Sequence, residues 1–504
     1  MVRRRGWVAV GVPAGSMSVV GLWGIDRGGI WRDEAVTFQV ARRSVPQIWR
    51  LLHGVDAVHG LYYLLMHAVV AVRPGEVALR LPSVCGAAAT AALVAALGVR
   101  LGRPRVGLWA GLMYAMTPLA GHYAQEGRSY ALVAAGVAGA TLLLVRGVWG
   151  PEGGWTWWGY GGVVAVTCLL HELAVLVLCA HAVTLAAARA GRRVWTAWAG
   201  SAAGVCALLV PLVVVSREQA GQVGWLPEPG WGSAVRLLRS FVVAPAGAVF
   251  EVGVVLMLVG VVAVGGRAVA VALPLMVVPP GLLMLVSQVR PMYDDRYVLY
   301  AMAGAPLLVA VGADRVAGAV AGLRIGGRVQ GAAGALALLL VFLHHLPLHR
   351  EDRTPDRRPD NLAAVSSLAG RQIGPGEPVL FVPSIGRRAA VAYPAGFRAA
   401  WDIALRESGA WSGTLYGREV GAGEMRRRLA GVARVWVVAE PYALGSRWSP
   451  RNPGERAKLA VVGEQFVPRA EHARGGVTLR LYERRPATAR TPASPTAPPR
   501  PGSG

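Results

Sequence analysis

Apolar residues fall in long unbroken runs, and polar residues crowd into the short breaks between them. The runs are Trp7–Ile25, Leu79–Val99, Val106–Ala120, Ser129–Val145, Val163–Ala188, Val194–Val215, Val249–Gly265, Ala268–Val286, Val298–Val311 and Gly331–Leu343. Several reach the roughly 20 residues that cross a bilayer as a helix, and the shorter ones extend into their flanks. Trp157–Ala188 is too long for one spanning helix and too short for two with a broad loop. It reads as a hairpin whose turn falls at His171-Glu172. Leu61–Val72, at 12 residues, reads as a short interfacial or re-entrant piece. The pattern predicts a polytopic α-helical membrane protein with ten or eleven spanning helices.

Past Leu346 the pattern changes. Glu351–Arg358 is a charged linker. Short β-like runs then appear at Val379–Val382, Val435–Val438 and Val477–Leu481, with helix-like stretches at Leu362–Leu368 and Gly423–Leu429 between them. This alternation predicts an α/β unit. The expected organisation is a membrane domain over 1–350, an α/β domain over 351–484 and a disordered tail rich in Pro, Ser and Thr over 485–504.

Composition agrees. The 504 residues are 54% hydrophobic and 16% charged, with a mean hydropathy of +0.43. Soluble domains carry roughly 25% charged residues. The net charge of +24 would suggest nucleic acid in a soluble protein, but Lys458 is the only lysine and much of the arginine sits between apolar runs, where it sets orientation. No nucleic acid is expected as a partner; membrane lipids are. The four cysteines lie inside apolar runs without a CxxC pair, so neither a disulfide nor a zinc site is implied.

The arginines supply the topology. Three short breaks carry arginine and no acid: Arg100, Arg103 and Arg105; Arg189, Arg192 and Arg193; Arg324 and Arg328. By the positive-inside rule all three are cytoplasmic. The N-terminus is then inside, and 351–504 lies outside the cytoplasmic membrane. One segment resists this scheme. Residues 26–56, placed outside, hold Arg27, Arg32, Arg42, Arg43 and Arg50, which requires either a bound anion or a different topology.

The same topology gathers the unusual polar residues on the outer side. They are Arg32-Asp33-Glu34, His59-Gly60-Leu61-Tyr62-Tyr63, Gln125–Tyr130 with Glu126 and Arg128, His171-Glu172, and Tyr293–Tyr297 with Asp294, Asp295 and Arg296. Ionisable groups at membrane depth are costly and mark functional sites. A carboxylate can assist an attacking alcohol as general base, and arginine grips phosphate in bidentate fashion.

In their order and spacing these motifs resemble the bacterial family 39 glycosyltransferases, relatives of protein O-mannosyltransferases and of the lipid A aminoarabinose transferase, with the GT-C membrane fold. Asp33-Glu34-Ala35, His59 with Tyr62-Tyr63, and Ala78–Ser83 carry the likeness, as does Gln125-Glu126-Gly127-Arg128-Ser129-Tyr130, which departs from the family pattern at Gly127. His171-Glu172 stands where that family usually has His-Tyr, and Arg296-Tyr297 with Pro306 resembles its late segment.

The resemblance implies inverting transfer of a hexose or pentose, mannose-like or other, from a polyprenyl-phosphate donor. The acceptor is a hydroxyl on a glycan, lipid or protein. Asp33 becomes the expected base with Glu34 beside it, and Arg128 and Arg296 the donor-phosphate ligands. His59, Tyr62, Glu126, Tyr130, His171, Glu172, Asp294 and Asp295 become substrate contacts. A divalent cation is left open, and no metal ligands are assigned. Two other classes fit the composition: a secondary transporter, which usually shows an internal repeat that is absent here, and a non-catalytic envelope assembly protein. Replacing Asp33 with Asn separates the three.

Overall fold

A computed structural model describes residues 2–151, 154–242, 247–264, 266–321, 327–354, 358, 360–445 and 448–486. The tail beyond Pro486 and the Arg324 position lie outside the described residues. Helices run back and forth between two faces: Val2–Leu22, Glu76–Leu101, Pro104–Met116, Tyr130–Trp149, Gly154–Leu170, Leu176–Ala187, Arg192–Glu218, Ala248–Val259, Gly266–Val286, Gly304–Ala321 and Gly327–Glu351. Six of the described helical segments are long and apolar enough to cross a membrane by themselves.

Contacts sort the ends of these helices into two sets. On one face Arg103 and Arg105 pair with Asp314, and Arg267 stacks 5.5 Å from the Trp149 ring. On the other, Gln219 joins Leu52 and Ala57 at 2.8 and 2.9 Å, and Arg353 donates to the carbonyls of Val20 and Trp23. The acid-free break at 100–105 and the residues around 266 and 314 thus share the first face.

Helix Gly60–Val72 begins at the second face, and Glu76 opens the next helix on that same face, held by Tyr393. Leu61–Val72 therefore does not cross. The hairpin turn predicted at His171-Glu172 is the 3-10 segment Glu172–Val175 between two helices.

The C-terminal unit is built on a five-stranded sheet in the order Trp401–Asp402, Pro378–Val382, Arg434–Ala439, Val477–Arg484, Phe466–Arg474. The first three strands are parallel and the last two antiparallel. Period-two alternation divides the buried strand Pro378–Val382. Leu380 and Val382 pack with Met425, Leu429 and Val461, whereas Val379 and Phe381 join the core that continues into the membrane helices. Lys458 is fully buried, with Nζ on Phe381 O, Glu419 and Glu455.

The arginines of 26–56 have a use that the sequence reading did not weigh. Arg32 pairs with Asp360 at 3.1 Å, Arg43 donates to Thr414 O at 2.9 Å, and Arg50 donates to Trp411 O at 3.2 Å. They dock the C-terminal unit on the second face.

Candidate active site

Helix Arg32–Ala41 starts with both carboxylates in its first turn, where the helix dipole favours negative charge. Successive side chains on a helix diverge by about 100°, so Asp33 and Glu34 face different surroundings. Glu34 is fully buried and takes Arg80 in a bidentate pair, both contacts 2.9 Å. It also accepts from Gly127 N at 2.9 Å. Burial pushes its carboxyl up, but the charges of Arg358 and Arg80 and these hydrogen bonds outweigh it and hold the group below its ordinary range. Arg80 in turn donates to the carbonyls of Ile25, Gly28 and Gly29. The expected place of Glu34 in a catalytic pair is therefore corrected: it fastens the turn at 25–29 to the loop at 125–129.

Asp33 faces a cleft of about 280 Å³ on the second face. Its Oδ2 lies 2.6 Å from Arg296 Nη1. Arg296 sits over the rings of Tyr130 and Tyr297, at 5.9 and 5.6 Å, and beside Asp294 at 3.2 Å. The Asp294 carboxylate caps its short helix by accepting from Arg296 N.

Across the cleft Arg128 Nη2 donates to His59 Nε2 at 2.9 Å. That bond leaves the imidazole proton on Nδ1, which has no partner. Burial and the Arg128 charge hold His59 far below its ordinary pKa, so it is neutral. His171, brought to about 3 by burial and the same arginines, packs 5.8 Å from His59 and 5.0 Å from Tyr297.

The cleft thus brings together Asp33, His59, Arg128, His171, Glu172 and Arg296. Of the other expected contacts, Tyr130 supports Arg296 from below, and Asp295 accepts from Tyr293 OH at 2.8 Å. Tyr62 is buried with its hydroxyl unpartnered and does not line the cleft, so its expected substrate contact is corrected to a packed position. Glu126 is likewise buried behind the wall, its Oε2 without a partner and its pKa pushed up to about 7 by burial.

The sequence reading missed Asp56, which lines the cleft in a left-handed conformation at φ 57° and accepts from Tyr63 OH at 2.8 Å. Asp tolerates that region, so the turn Gly54-Val55-Asp56 just before His59 was the available signal. It also missed the rim, where Arg217, Gln222, Trp225 and Arg290 open toward solvent. Among the described residues no three His, Cys, Asp or Glu side chains gather in a metal-binding group.

No family model and no curated protein sequence matches the chain. Solved structures do. ArnT from Cupriavidus metallidurans in the apo state superposes with a TM-score of 0.60 at 13% identity, over 95% of this chain and 98% of that one. The same protein bound to undecaprenyl phosphate gives 0.59 at 12% identity, with the same coverage. The apo oligosaccharyltransferase of Archaeoglobus fulgidus gives 0.54 at 12% identity, over 86% of this chain and 69% of that one. At such identities the likeness is one of fold, and it spans the membrane helices and the C-terminal unit together. The chain has the GT-C fold of polytopic membrane glycosyltransferases.

Proposed function

We propose that the protein transfers a sugar from a polyprenyl-phosphate donor to an acceptor hydroxyl at the outer face of the cytoplasmic membrane, with inversion. The observation that carries this reading is a pair of guanidiniums lining the cleft whose hydrogen-bonding capacity is only partly used. Arg128 Nε makes no hydrogen bond, and Arg296 Nε, though 3.2 Å from the Asp294 carboxylate, makes none either. A buried donor left unmade costs free energy, and an anion entering the cleft would relieve both. The solved ArnT bound to undecaprenyl phosphate is a protein of this fold that takes such an anion.

In the reaction the acceptor O–H proton passes to the Asp33 carboxylate as the oxygen bonds to the sugar's anomeric carbon. The bond from that carbon to the phosphate oxygen breaks, and the lipid phosphate leaves with the electron pair. Fixed cations stabilise the charge that develops on the leaving group; Arg128 and Arg296 supply them. Arg296 touches Asp33 and can touch the phosphate as well, so it fixes the base relative to the donor. His59, His171 and Glu172 line the space left for the sugar.

Deleting the gene tests the reading. A polyprenyl-phosphate sugar should accumulate and a surface glycan should be lost, and both should revert with the wild-type gene but not with Asp33→Asn. Unchanged carrier and glycan pools in the deletion strain would overturn it.

A further inference from the structure

The helix that presents Asp33 does not cap itself. Helix Arg32–Ala41 is preceded by Trp31, whose backbone is extended and whose indole, a donor only, accepts nothing from the first turn. The two carboxylates inside that turn are engaged elsewhere, Asp33 with Arg296 and Glu34 with Arg80. The first N–H groups of a helix have no partner within it and need one from outside. Here the acceptor comes from the C-terminal unit. Asp360 Oδ1 takes the Arg32 N–H at 2.9 Å, and its Oδ2 takes Arg32 Nε at 3.1 Å.

Asp360 is itself anchored. It is buried, and Arg388 Nη2 lies 3.6 Å from its Oδ2. Arg388 pairs with Glu440, whose backbone N–H donates to Val382 O at 3.1 Å where two parallel strands end. The cap is thus tied to the sheet. Close by, the Tyr393 hydroxyl accepts from Ile30 N at 2.8 Å. Gly29 lies so near the C-terminal unit that a Cβ there would come within 3.0 Å of Asn361 Oδ1 and 3.1 Å of Ala363 Cβ. On the other side of Asp33, Arg358 Nη1 is 3.6 Å from Glu34 Oε2. Residues 32 and 34 are therefore held from residues 360 and 358, and Asp33 stands between them, lining the cleft.

We propose that Asp360 is a positioning residue: by capping helix Arg32–Ala41 from the C-terminal unit, it fixes where the Asp33 carboxylate stands against Arg296. This rests on the transferase reading above. Docking alone needs no such contact, because Arg43 and Arg50 already fasten the unit through backbone carbonyls. The Asp360 carboxylate instead takes the main-chain N–H of the residue directly before the base. A helix start that frays moves its first side chains, and Asp33 lies in the first turn. A general base must stand within hydrogen-bond reach of the proton it takes. A displacement of about 1 Å at such a group lowers the rate of the chemical step, while the arginines that would hold the donor keep their places.

The test uses the full-length protein in membranes from the complemented deletion strain, with the carrier sugar and the glycan identified there. Asp360→Ala should lower kcat about 10-fold, inside the range that misplacement of a reacting group costs, and leave the donor KM unchanged. Asp360→Asn, which keeps an acceptor for the Arg32 N–H, should restore most of the rate. Arg32→Ala removes the half-exposed side-chain contact and leaves the main-chain cap, so its kcat should stay within about 2-fold of wild type. In an Asp33→Asn background Asp360→Ala should lower the residual rate no further, since it acts through that carboxylate. A second measurement needs no substrate: hydrogen exchange in detergent should quicken over 32–36 in Asp360→Ala and stay unchanged over the docking residues 411–415. Asp360→Leu, which keeps the volume but offers no acceptor, takes its place if the alanine variant does not accumulate. A wild-type kcat in Asp360→Ala, an equal loss in Arg32→Ala or in the Asp33→Asn background, or unchanged exchange over 32–36 would each overturn the proposal. Exchange that quickens over 411–415 as well would assign Asp360 to docking alone and overturn it equally. If the wild-type gene itself restores nothing, the transferase reading has failed, which is a separate result.

Discussion

Asp33 and Arg296 stand 263 residues apart in the chain and 2.6 Å apart in the structure. One opens the short helix after the first membrane helix, and the other belongs to the 3-10 segment Asp295–Ala303. Their contact joins the proposed base to a proposed phosphate ligand, so that a donor held by Arg296 would be indexed to Asp33.

Removing the carboxylate should remove the reaction. Asp33→Asn and Asp33→Ala should each lose at least about 100-fold in turnover, the low end for general base catalysis, while undecaprenyl phosphate still binds. An Asp33→Asn protein that turns over normally at wild-type abundance would refute the assignment.

Lysine in place of either cleft arginine keeps the charge and loses the planar fork. Arg128→Lys should also break the bond to His59, and Arg296→Lys the joint contact with Asp33 and Asp294. Both should raise the donor KM more than the acceptor KM, measured by initial rates over a donor series. Donor KM values equal to wild type in both variants would mean that these arginines do not hold the phosphate.

Glu34→Gln should act on stability rather than on the chemical step. It leaves Arg80 buried with one fewer anion, and breaking a buried pair costs about 3–5 kcal/mol. The expected readout is a lowered Tm in detergent with the donor KM preserved in the surviving fraction. Because the folded carboxyl is held below its unfolded value, this stabilisation is present at neutral pH and is lost as the pH falls through the folded pKa. A Tm equal to wild type would refute the fastening role.

Glu126 has the opposite sign. Its pKa is raised from 4.5 to about 7, so between those values the folded state keeps a proton that the unfolded state has lost. Stability should therefore fall as the pH rises through that window. Glu126→Gln should flatten the Tm profile over that range, and parallel profiles for variant and parent would count against the shift.

Orientation can be checked in cells. Ala410→Cys, in the C-terminal unit, should react with an impermeant maleimide added to intact cells. Reaction only after permeabilisation would place the cleft on the cytoplasmic side and remove the proposed donor geometry.

Much of the site was legible because charge is rare here. In a chain whose apolar runs leave few ionisable residues at membrane depth, Asp33, His59, Arg128, His171 and Arg296 stand out. What stayed hidden depended on partners far along the chain. Glu34 looked like the twin of Asp33 because its partner, Arg80, lies 46 residues away inside a helix. Asp56 looked like an ordinary turn residue because its burial comes from tertiary packing. Arg32, Arg43 and Arg50 read as a topological contradiction because their partners, the Asp360 carboxylate and the carbonyls of residues 411–415, lie more than 300 residues further along the chain. In the C-terminal unit the buried parallel strands were evident as apolar runs. The edge strand Phe466–Arg474 was not, since it is polar, carries Pro468, and shifts register there.

The docking of residues 26–56 on the C-terminal unit also sets a timetable. Arg32 is separated from Asp360 by 328 residues, and at roughly 5–20 residues per second of synthesis its partner is made some tens of seconds later. Arg296 is made earlier in that interval, 263 residues after Asp33, so the two pairings form in sequence. Asp33 gains its arginine first, and the segment 26–56 is fastened only after the last helix, Gly327–Glu351, has been made. The parts of the cleft therefore come together late, near the end of synthesis.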